Sequence, residues 1–315
     1  MKRKSTIIRD RATYATRYGI IDLGTNTFSL IIVGYNEELG SEIEHREGRF
    51  VKLAEGGINH IGPEAFQRAV NNMKAFAEIL KQYDVKRVEA FGTAALRRAE
   101  NSADLVAAIQ EETGIEVKVI SGSEEAALIY KGVSQAVSFD ERYKLIMDIG
   151  GGSVEFIIAN QEGVRWAKSF PVGVAILRNR FHKSEPIAPS EISTLKNWLD
   201  TTLRPLYEAL SKQPIEQLVG ASGTFDVLAI KLPKVYESDL HTAVSAADFY
   251  PLLEEVVAAN YTEREKLRDI PSYRADMLVV AMLLIETILE KIQVQHIVAS
   301  PYAMKEGIMR RIVEI

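Results

Sequence analysis

The sequence predicts an α/β protein made of two related lobes with a cleft between them. Two short turns carry this prediction, Asp22-Leu-Gly-Thr-Asn-Thr27 near the start of the chain and Asp148-Ile-Gly-Gly-Gly-Ser153 near its middle, and each is entered and left by an apolar strand. Predicted helices and strands alternate after each turn, as they do in α/β folds. The same strand, turn and strand at both places indicates that the two lobes share one architecture.

The first lobe is predicted over residues 18–137, after a basic tail at 1–17. Apolar runs rich in isoleucine and valine predict strands, apolar residues recur at helical spacing after Pro63, and Gly114 suits the end of a helix. In chain order, the expected elements are strands at 18–22, 28–33 and 41–53, a helix at 63–83, a strand at 86–92, a helix at 102–112, a strand at 117–120 and a helix at 123–137.

The polar segment Ser138-Phe-Asp-Glu-Arg142 marks the boundary to the second lobe, which is predicted over residues 138–300. A strand at 217–220 leads into Ala221-Ser-Gly-Thr224, a third turn of phosphate-binding type that opens a helix. A final helix within 301–315 is expected to pack back on the first lobe. The other expected elements are strands near 143–149, 153–160 and 163–170, helices near 174–181, 189–211, 245–258 and 271–291, and a strand at 296–299.

Composition and charge exclude several classes of protein. The net charge of −5 provides no positive field that would recruit DNA or an anionic membrane surface. The chain has no cysteine, and its five histidines are too scattered for a zinc site. The most apolar stretch, 277–285, is too short to span a bilayer, which takes about 20 residues, and the basic start lacks the apolar run of a secretory signal. We therefore expect a cytoplasmic protein that binds neither DNA nor a membrane.

Both glycine-bearing turns have the chemistry of a phosphate-binding site. Glycines let backbone N–H groups approach an anion closely, hydroxyl and amide side chains add donors, and an aspartate can hold a hydrated cation beside the phosphate. A single Asp-Gly hairpin is usually only a turn, but two matched copies favour a phosphate held between the lobes. The residues predicted to bind phosphate in these turns are Gly24, Thr25, Asn26 and Thr27, and Gly150, Gly151, Gly152 and Ser153.

Five blocks of sequence resemble the exopolyphosphatase and guanosine pentaphosphate phosphohydrolase family (Ppx/GppA). In order, they are Ile21-Asp-Leu-Gly-Thr-Asn-Thr27, Gly92-Thr-Ala-Ala-Leu-Arg-Arg-Ala99, Ile120-Ser-Gly-Ser-Glu-Glu-Ala126, Ile146-Met-Asp-Ile-Gly-Gly-Gly-Ser153 and Gly220-Ala-Ser-Gly-Thr224. The resemblance implies two ribonuclease-H-like lobes of the actin-like ATPase superfamily, an active site in the cleft between them, and Mg²⁺ as the cofactor.

The resemblance also implies an activity. The family removes terminal phosphates from inorganic polyphosphate, or the 5′ phosphate from guanosine pentaphosphate, and the first of these is the leading hypothesis. Many members carry C-terminal helical domains that help to grip long chains, and since this sequence shows only the two lobes we expect short chains as substrates. Guanosine pentaphosphate hydrolysis is an alternative, as is a non-catalytic sensor of polyphosphate or of guanosine tetra- or pentaphosphate. A homodimer is common in the family and is not decided by the sequence.

The general base is expected in the third block. The spacing Ser121-x-x-Glu124 predicts a capping box, which leaves Glu125 free to face the cleft. The resemblance agrees, because the family's proposed base is the glutamate immediately before Ala126. The alternative is that Glu124 and Glu125 only complement the positive end of a helix.

Metal ligands and a catalytic cation complete the expected chemistry. By resemblance, Asp148 approaches Mg²⁺ and the attacking water, while Glu155 and Asp22 contribute to the metal shell. Arg97 is expected as the catalytic cation, since its guanidinium can bind two phosphate oxygens and keeps its charge. Its neighbour Arg98 is expected to be solvated.

The last candidates lie in the second lobe. Gly223 and Thr224 are expected to contact phosphate or a base, with a simple helix cap as the alternative. Arg274 resembles a family arginine near the site, with an exposed arginine at a helix end as the alternative. Two departures from the family pattern bear on substrate binding: Ala127 stands where many members carry arginine, and Lys305 stands where arginine is commoner.

Overall fold

The protein is described by a computed structural model over residues 16–38, 40–238, 240–267, 270 and 272–313. It forms two mixed sheets with helices packed against both. The first sheet has the order β3-β2-β1-β4-β5. Its strands are β1 (Thr16–Leu23), β2 (Thr27–Asn36), β3 (Gly40–Phe50), β4 (Arg87–Gly92) and β5 (Val117–Val119), and its helices are α1 (Pro63–Gln82), α2 (Ala94–Arg98), α3 (Ser102–Thr113) and α4 (Gly122–Val133).

The second sheet has the order β10-β11-β12-β9-β6-β7-β8. Its strands are β6 (Tyr143–Ile149), β7 (Val154–Asn160), β8 (Gly163–Phe170), β9 (Ile215–Ala221), β10 (Lys234–Glu237), β11 (Thr242–Ser245) and β12 (His296–Ser300). The helices that follow or join them are α5 (Val174–Phe181), α6 (Pro189–Thr202), α7 (Arg204–Leu210), α8 (Gly223–Lys231), α9 (Ala246–Ala258), α10 (Tyr261–Lys266), α11 (Ser272–Ile292) and α12 (Met304–Val313).

The two sheets share one topology. The order β8-β7-β6-β9-β12 in the second repeats the order β3-β2-β1-β4-β5 in the first, with an antiparallel meander of three strands followed by two parallel strands. The turns match as well, because Gly24 N donates to Thr27 O at 3.1 Å and Gly150 N donates to Ser153 O at 3.0 Å. The predicted fold class, an α/β protein of two ribonuclease-H-like lobes, is confirmed.

A core shared by both sheets joins the lobes. Ile20 and Ile31 of the first sheet and Ile146 and Ile157 of the second are fully buried in the same apolar cluster. Burial of this kind stabilises the pairing of the lobes by about 25 cal/mol for each Å² of apolar surface removed from water. The cleft therefore lies between two bodies that a continuous core holds together.

Helix α12 packs on α4 at a very close crossing. A Cβ atom at Gly307 would lie 1.9 Å from Leu128 O, and one at Gly132 would lie 1.8 Å from Ala303 O. Only residues without a Cβ permit this approach. Ile308 of α12 joins the core shared by the lobes, so the last helix lies against α4 and the first sheet.

Several boundaries differ from those predicted in the first lobe; helix α4, for example, ends at Val133, four residues before the predicted end at 137. Strand β1 begins at Thr16, so the last two residues of the predicted tail belong to a strand, and the rest of that tail, 1–15, lies outside the described residues. Strand β3 ends at Phe50, three residues early. There the amides of Val51 and Leu53 donate to the carbonyls of Asn26 (2.8 Å) and Thr25 (2.7 Å), so the chain leaves the sheet to cross the first turn.

Other differences follow from short elements. The helix predicted at 189–211 is two helices, α6 and α7, because Pro205 has no N–H to continue the helical ladder. Helices α2 and α10 are too short to show a helical period, and β10 is exposed along its whole length and shows no alternation. No helix in the described part of the chain combines the length and the apolar character needed to cross a membrane.

Candidate active site

The cleft between the lobes has a volume of about 680 Å³. Every residue predicted for the site lines it, with the exception of Arg97. The two turns form its floor and touch each other: a Cβ at Gly151 would lie 2.7 Å from Asn26 Cγ, and one at Gly152 would lie 2.5 Å from Thr25 Oγ1. A Cβ at either position would have to displace neighbouring side chains, so glycine lets the turns approach this closely.

Helix α5 holds the second turn in place. The amides of Val174 and Ala175 donate to the carbonyls of Gly150 (3.0 Å) and Gly151 (2.9 Å). These bonds engage carbonyl oxygens that would otherwise repel a phosphate. Gly173 permits the contact, since a Cβ there would lie 2.4 Å from the Gly151 carbonyl carbon. The turn is thus arranged to present amide groups and the Ser153 hydroxyl to an anion.

Four carboxylates converge on the cleft: Asp22, Glu125, Asp148 and Glu155. Burial, with the nearby charges of Glu155 and Asp22, raises the pKa of Asp148 to about 7. Burial also raises the pKa of Asp22 above its ordinary value, although Lys305 opposes that rise. Ionising these buried carboxyls together is unfavourable, and a bound cation would make it more favourable.

Glu125 lies in the first turn of α4 and is only 7% exposed. Burial, followed by the charge of Glu155, raises its pKa well above the ordinary value, while Arg97 opposes the rise. The predicted capping box is half present: Ser121 Oγ accepts from Glu124 N at 3.1 Å, but the Glu124 carboxylate lies 4.0 Å from Arg311 on α12 instead of returning to the cap. Glu125 faces the cleft, as predicted.

Arg97 lies behind Glu125 and not in the cleft. Its Nη1 donates to Glu125 Oε2 at 2.9 Å and to Ile120 O at 3.0 Å, and its Nη2 lies 3.5 Å from Ser169 Oγ. The guanidinium therefore orients the proposed base from the rear. A direct bond from Arg97 to phosphate stays a prediction.

Glu155 is 2% exposed and accepts two hydroxyl hydrogen bonds, from Ser153 Oγ at 2.7 Å and from Ser169 Oγ at 2.6 Å. Ser169 pairs with Glu155 across the β7–β8 ladder. Sequence reasoning missed Ser169, although the predicted neighbouring strand could have indicated it through this register. Burial raises the pKa of Glu155, and the two hydroxyls oppose that rise.

The other end of the cleft is built by α8 and α11. Ser222 Oγ donates to Ile149 O at 2.9 Å and accepts from Ile149 N at 3.2 Å, which ties the third turn to the second. The Arg274 guanidinium lies over Gly223, where a Cβ would stand 2.1 Å from its Cζ, and Nη2 lies 3.5 Å from Asp226. The structure thus brings Gly223, Thr224 and Arg274 to one place on the cleft wall.

Comparison with known proteins identifies the family. A family model described as the Ppx/GppA phosphatase family matches residues 32–314. The chain belongs to the Ppx/GppA phosphatase family. The predicted family and the predicted class of enzyme, a phosphoanhydride hydrolase, are confirmed.

Individual relatives of this Ppx/GppA protein cover nearly its whole length. Exopolyphosphatase 1 of Mycobacterium tuberculosis is 25% identical over 301 residues, which is 94% of this chain and 88% of that protein. The crystal structure of an exopolyphosphatase from Cytophaga hutchinsonii has a TM-score of 0.89 at 38% identity and covers 95% of this chain and 98% of that one. A Ppx/GppA family member from Aquifex aeolicus has a TM-score of 0.78 at 23% identity, covers 95% and 98% of the two chains, and supports the fold.

One more side chain, that of Lys305, lies in this Ppx/GppA site although it was not among the predicted site residues. Lys305, at the start of α12, lines the cleft, donates to Ser29 Oγ at 3.1 Å and lowers the pKa of both Asp22 and Asp148. The adjacent Glu306 is 1% exposed, accepting from Arg46 Nη2 at 2.8 Å. The sequence identifies Lys305 only as a departure from the family pattern, because nothing local to residue 305 indicates the distant turns.

The donor set fits Mg²⁺ bound together with phosphate. Among the described residues, no group of three or more histidines, aspartates or glutamates is arranged to hold a metal ion alone. However, Mg²⁺ usually takes only one or two carboxylates and completes its shell with waters and phosphate oxygens. Asp22 Oδ1 is buried without a hydrogen-bond partner, as is Thr25 Oγ1. These oxygens, with Asp148, are suited to a hydrated cation.

Proposed function

We propose that this protein is a Mg²⁺-dependent exopolyphosphatase that releases terminal orthophosphate from short chains of inorganic polyphosphate. The observation that carries the proposal is the position of Glu125, a buried carboxylate with a raised pKa, in the same cleft as two touching phosphate turns. A relative and a solved neighbour that are both named exopolyphosphatases support polyphosphate as the substrate.

The negative charge of polyphosphate determines which groups of the cleft are suited to bind it. We propose that the terminal phosphate rests on the amides of Gly151 and Gly152 and on the Ser153 hydroxyl, with Asn26 and Thr27 on the opposite side. The rest of the chain would then extend toward Gly223, Thr224 and Arg274 at the far end of the cleft. Arg274 can bind two oxygens at once through its guanidinium.

Glu125 would take a proton from a water molecule placed between it and the terminal phosphorus. The water oxygen forms a bond to that phosphorus, the bridging P–O bond breaks, and the shortened chain leaves with the bonding electrons as orthophosphate is formed. The raised pKa of Glu125 makes its carboxylate a stronger base than that of a free glutamate. Arg97 orients the carboxylate and keeps it from titrating still higher.

Asp148, Asp22 and Thr25 would hold Mg²⁺, with Glu155 keeping Ser153 and Ser169 in place beside it. When bound, Mg²⁺ would supply positive charge to the phosphate oxygens and neutralise charge that develops as the bond breaks. The raised pKa of Asp148 means that ionising this carboxyl costs free energy, and a nearby cation would lower that cost.

The test is orthophosphate release with Mg²⁺ from tripolyphosphate, long polyphosphate, guanosine pentaphosphate and ATP in parallel. Wild type, Glu125→Gln and the matched control Glu124→Gln are compared, since the control lies one residue away and its carboxylate is half-exposed. We expect Glu125→Gln to lose about 10²–10⁴-fold in kcat with tripolyphosphate, with substrate binding retained, and Glu124→Gln to keep near wild-type activity.

Each other outcome has a meaning. Preference for guanosine pentaphosphate would make the protein a nucleotide phosphohydrolase. Binding of polyphosphate without any release would make it a sensor. Full activity in Glu125→Gln would remove this residue as the base.

A further inference from the structure

A second cavity adjoins the catalytic cleft. It has a volume of about 490 Å³ and shares Ala94, Gly152 and Ser153 with the cleft. We call it the basic cavity, because its charged lining residues are Arg97, Arg98 and Lys168. No aspartate or glutamate is found among the described residues that line it.

The charge of the basic cavity contrasts with that of the cleft. The cleft is lined by carboxylates together with cations such as Arg274 and Lys305, whereas every charged residue lining the basic cavity is a cation. Ser123 and Ser169 add hydroxyls to the basic cavity, and that of Ser169 also donates to Glu155. A free phosphate anion is bound well by arginine forks, a lysine ammonium and hydroxyl donors without a metal. The ligand chemistry that fits this cavity is therefore a bare phosphate.

The position of the basic cavity shows which phosphate it would receive. Glu125 lines the cleft, Arg97 lines the basic cavity, and their side chains are 2.9 Å apart, so this ion pair forms part of the partition between the two spaces. Gly223 and Arg274 line the cleft but not the basic cavity. The basic cavity thus adjoins the Ser153 end of the cleft, away from the end proposed to hold the chain.

We propose that the basic cavity binds the orthophosphate released by hydrolysis. The inference rests on the proposed function, in which the terminal phosphate lies at the Ser153 end and the remaining chain lies toward Arg274. A product that moves past Ser153, which lines both spaces, into the basic cavity leaves without passing the chain, so the shortened chain can stay bound. Arg98 and Lys168 are both exposed and would receive the anion at the solvent side.

The experiment measures orthophosphate binding by calorimetry and orthophosphate inhibition of tripolyphosphate hydrolysis. It compares wild type with the double variant Arg98→Gln/Lys168→Gln. Arg165→Gln is the matched control, because Arg165 is an exposed cation on the same strand β8 that does not line the cavity. Orthophosphate bound in the cleft contributes equally to all three proteins, so the difference between them reports the basic cavity.

We expect the double variant to bind orthophosphate at least about tenfold more weakly and to be inhibited correspondingly less, as loss of two charged phosphate contacts predicts. Its KM for tripolyphosphate should stay within about twofold of wild type, and the control should match wild type. Unchanged orthophosphate affinity in the double variant would overturn the proposal. A parallel rise in KM would overturn it too, because the cavity would then hold the chain.

The experiments can refute the proposed function and the assignment of the basic cavity independently of each other. If wild type hydrolyses none of the substrates, the proposed function is wrong, yet the calorimetric difference between wild type and the double variant still decides whether the cavity binds orthophosphate. If hydrolysis is normal and that difference is absent, only the assignment of the cavity is wrong.

Discussion

Ser29 occupies, in the β1–β2 hairpin, the register position that Glu155 occupies in the β6–β7 hairpin. Asp22 lies opposite Ser29, and Asp148 lies opposite Glu155. The two lobes therefore repeat one hairpin with different chemistry. Lys305 donates to Ser29, while two hydroxyls donate to Glu155. At this register position two carboxylates lie opposite each other in the second lobe and only one carboxylate is present in the first, so we expect the cation to be held most strongly by the second lobe.

Replacement of Glu155 tests this asymmetry. Glu155→Gln removes a charge but keeps one oxygen that can accept from the hydroxyls of Ser153 and Ser169, which both donate to Oε1. Because the negative charge is lost, we expect kcat with tripolyphosphate to fall roughly 10–100-fold, as outer-shell changes at metal sites do. Glu162→Gln, at the exposed β7–β8 turn, is the control. Activity of Glu155→Gln within about twofold of the control would contradict a role beside the metal.

The pH profile tests the contact between Arg97 and Glu125. Arg97 lowers the pKa of Glu125, so its removal should raise that pKa further. Because Glu125 must be ionised to accept a proton, the acidic limb of kcat against pH should move upward in Arg97→Met by about one pH unit. Arg165→Met should leave the limb in place. A limb that stays fixed while kcat falls would mean that Arg97 acts on the phosphate and not on the base.

Stability should depend on pH through Asp148. Its pKa is about 7 in the folded protein and about 3.9 in an unfolded chain. Between these values the folded state binds more protons, so stability falls as the pH rises from about 4 to 7. Asparagine does not titrate, so without metal Asp148→Asn should gain stability over wild type by about 2.5 kcal/mol between pH 5 and pH 8. Thermal unfolding at both values measures this, and a constant difference would contradict it.

Magnesium should relieve the repulsion that Glu155 and Asp22 exert on the Asp148 carboxylate. If the carboxylates hold a cation, Mg²⁺ at tenfold its dissociation constant stabilises wild type by about 1.4 kcal/mol. The stabilisation should shrink in Asp148→Asn and disappear with EDTA. The thermal midpoint at pH 8 reports this without any assay of activity. An equal response of wild type and Asp148→Asn would place the ion elsewhere.

The sequence predicted the parts of the site that depend on neighbours along the chain. Asp148 and the glycines after it form a turn whose chemistry is visible in six residues, and the repeated turn predicted the repeated lobe. Contacts between distant segments leave no comparable motif in the sequence. The bond from Arg97 to Glu125 depends on how α2 meets α4, and Lys305 reaches the first turn only because α12 crosses α4 closely.

The same distinction applies to the fold. Long periodic segments such as α1 were predicted nearly to the residue, because their apolar faces pack on a sheet. The break between α6 and α7 and the early end of β3 were missed. At both places the local pattern continues along the chain, while a proline or a contact with a distant segment ends the element. The local pattern therefore does not predict where the element ends.

The last prediction concerns the crossing of α4 and α12. A Cβ at Gly307 would meet Leu128 O at 1.9 Å, and backbone atoms cannot give way as side chains do. Gly307→Ala should therefore separate the helices and destabilise the protein by about 3 kcal/mol, at the upper end of overpacking costs. Because α4 carries Glu125, activity should fall as well, even below the unfolding temperature. Gly56→Ala, which has open space around the new methyl, is the control. Denaturant unfolding of both variants measures the difference, and equal stabilities would show that the crossing can relax.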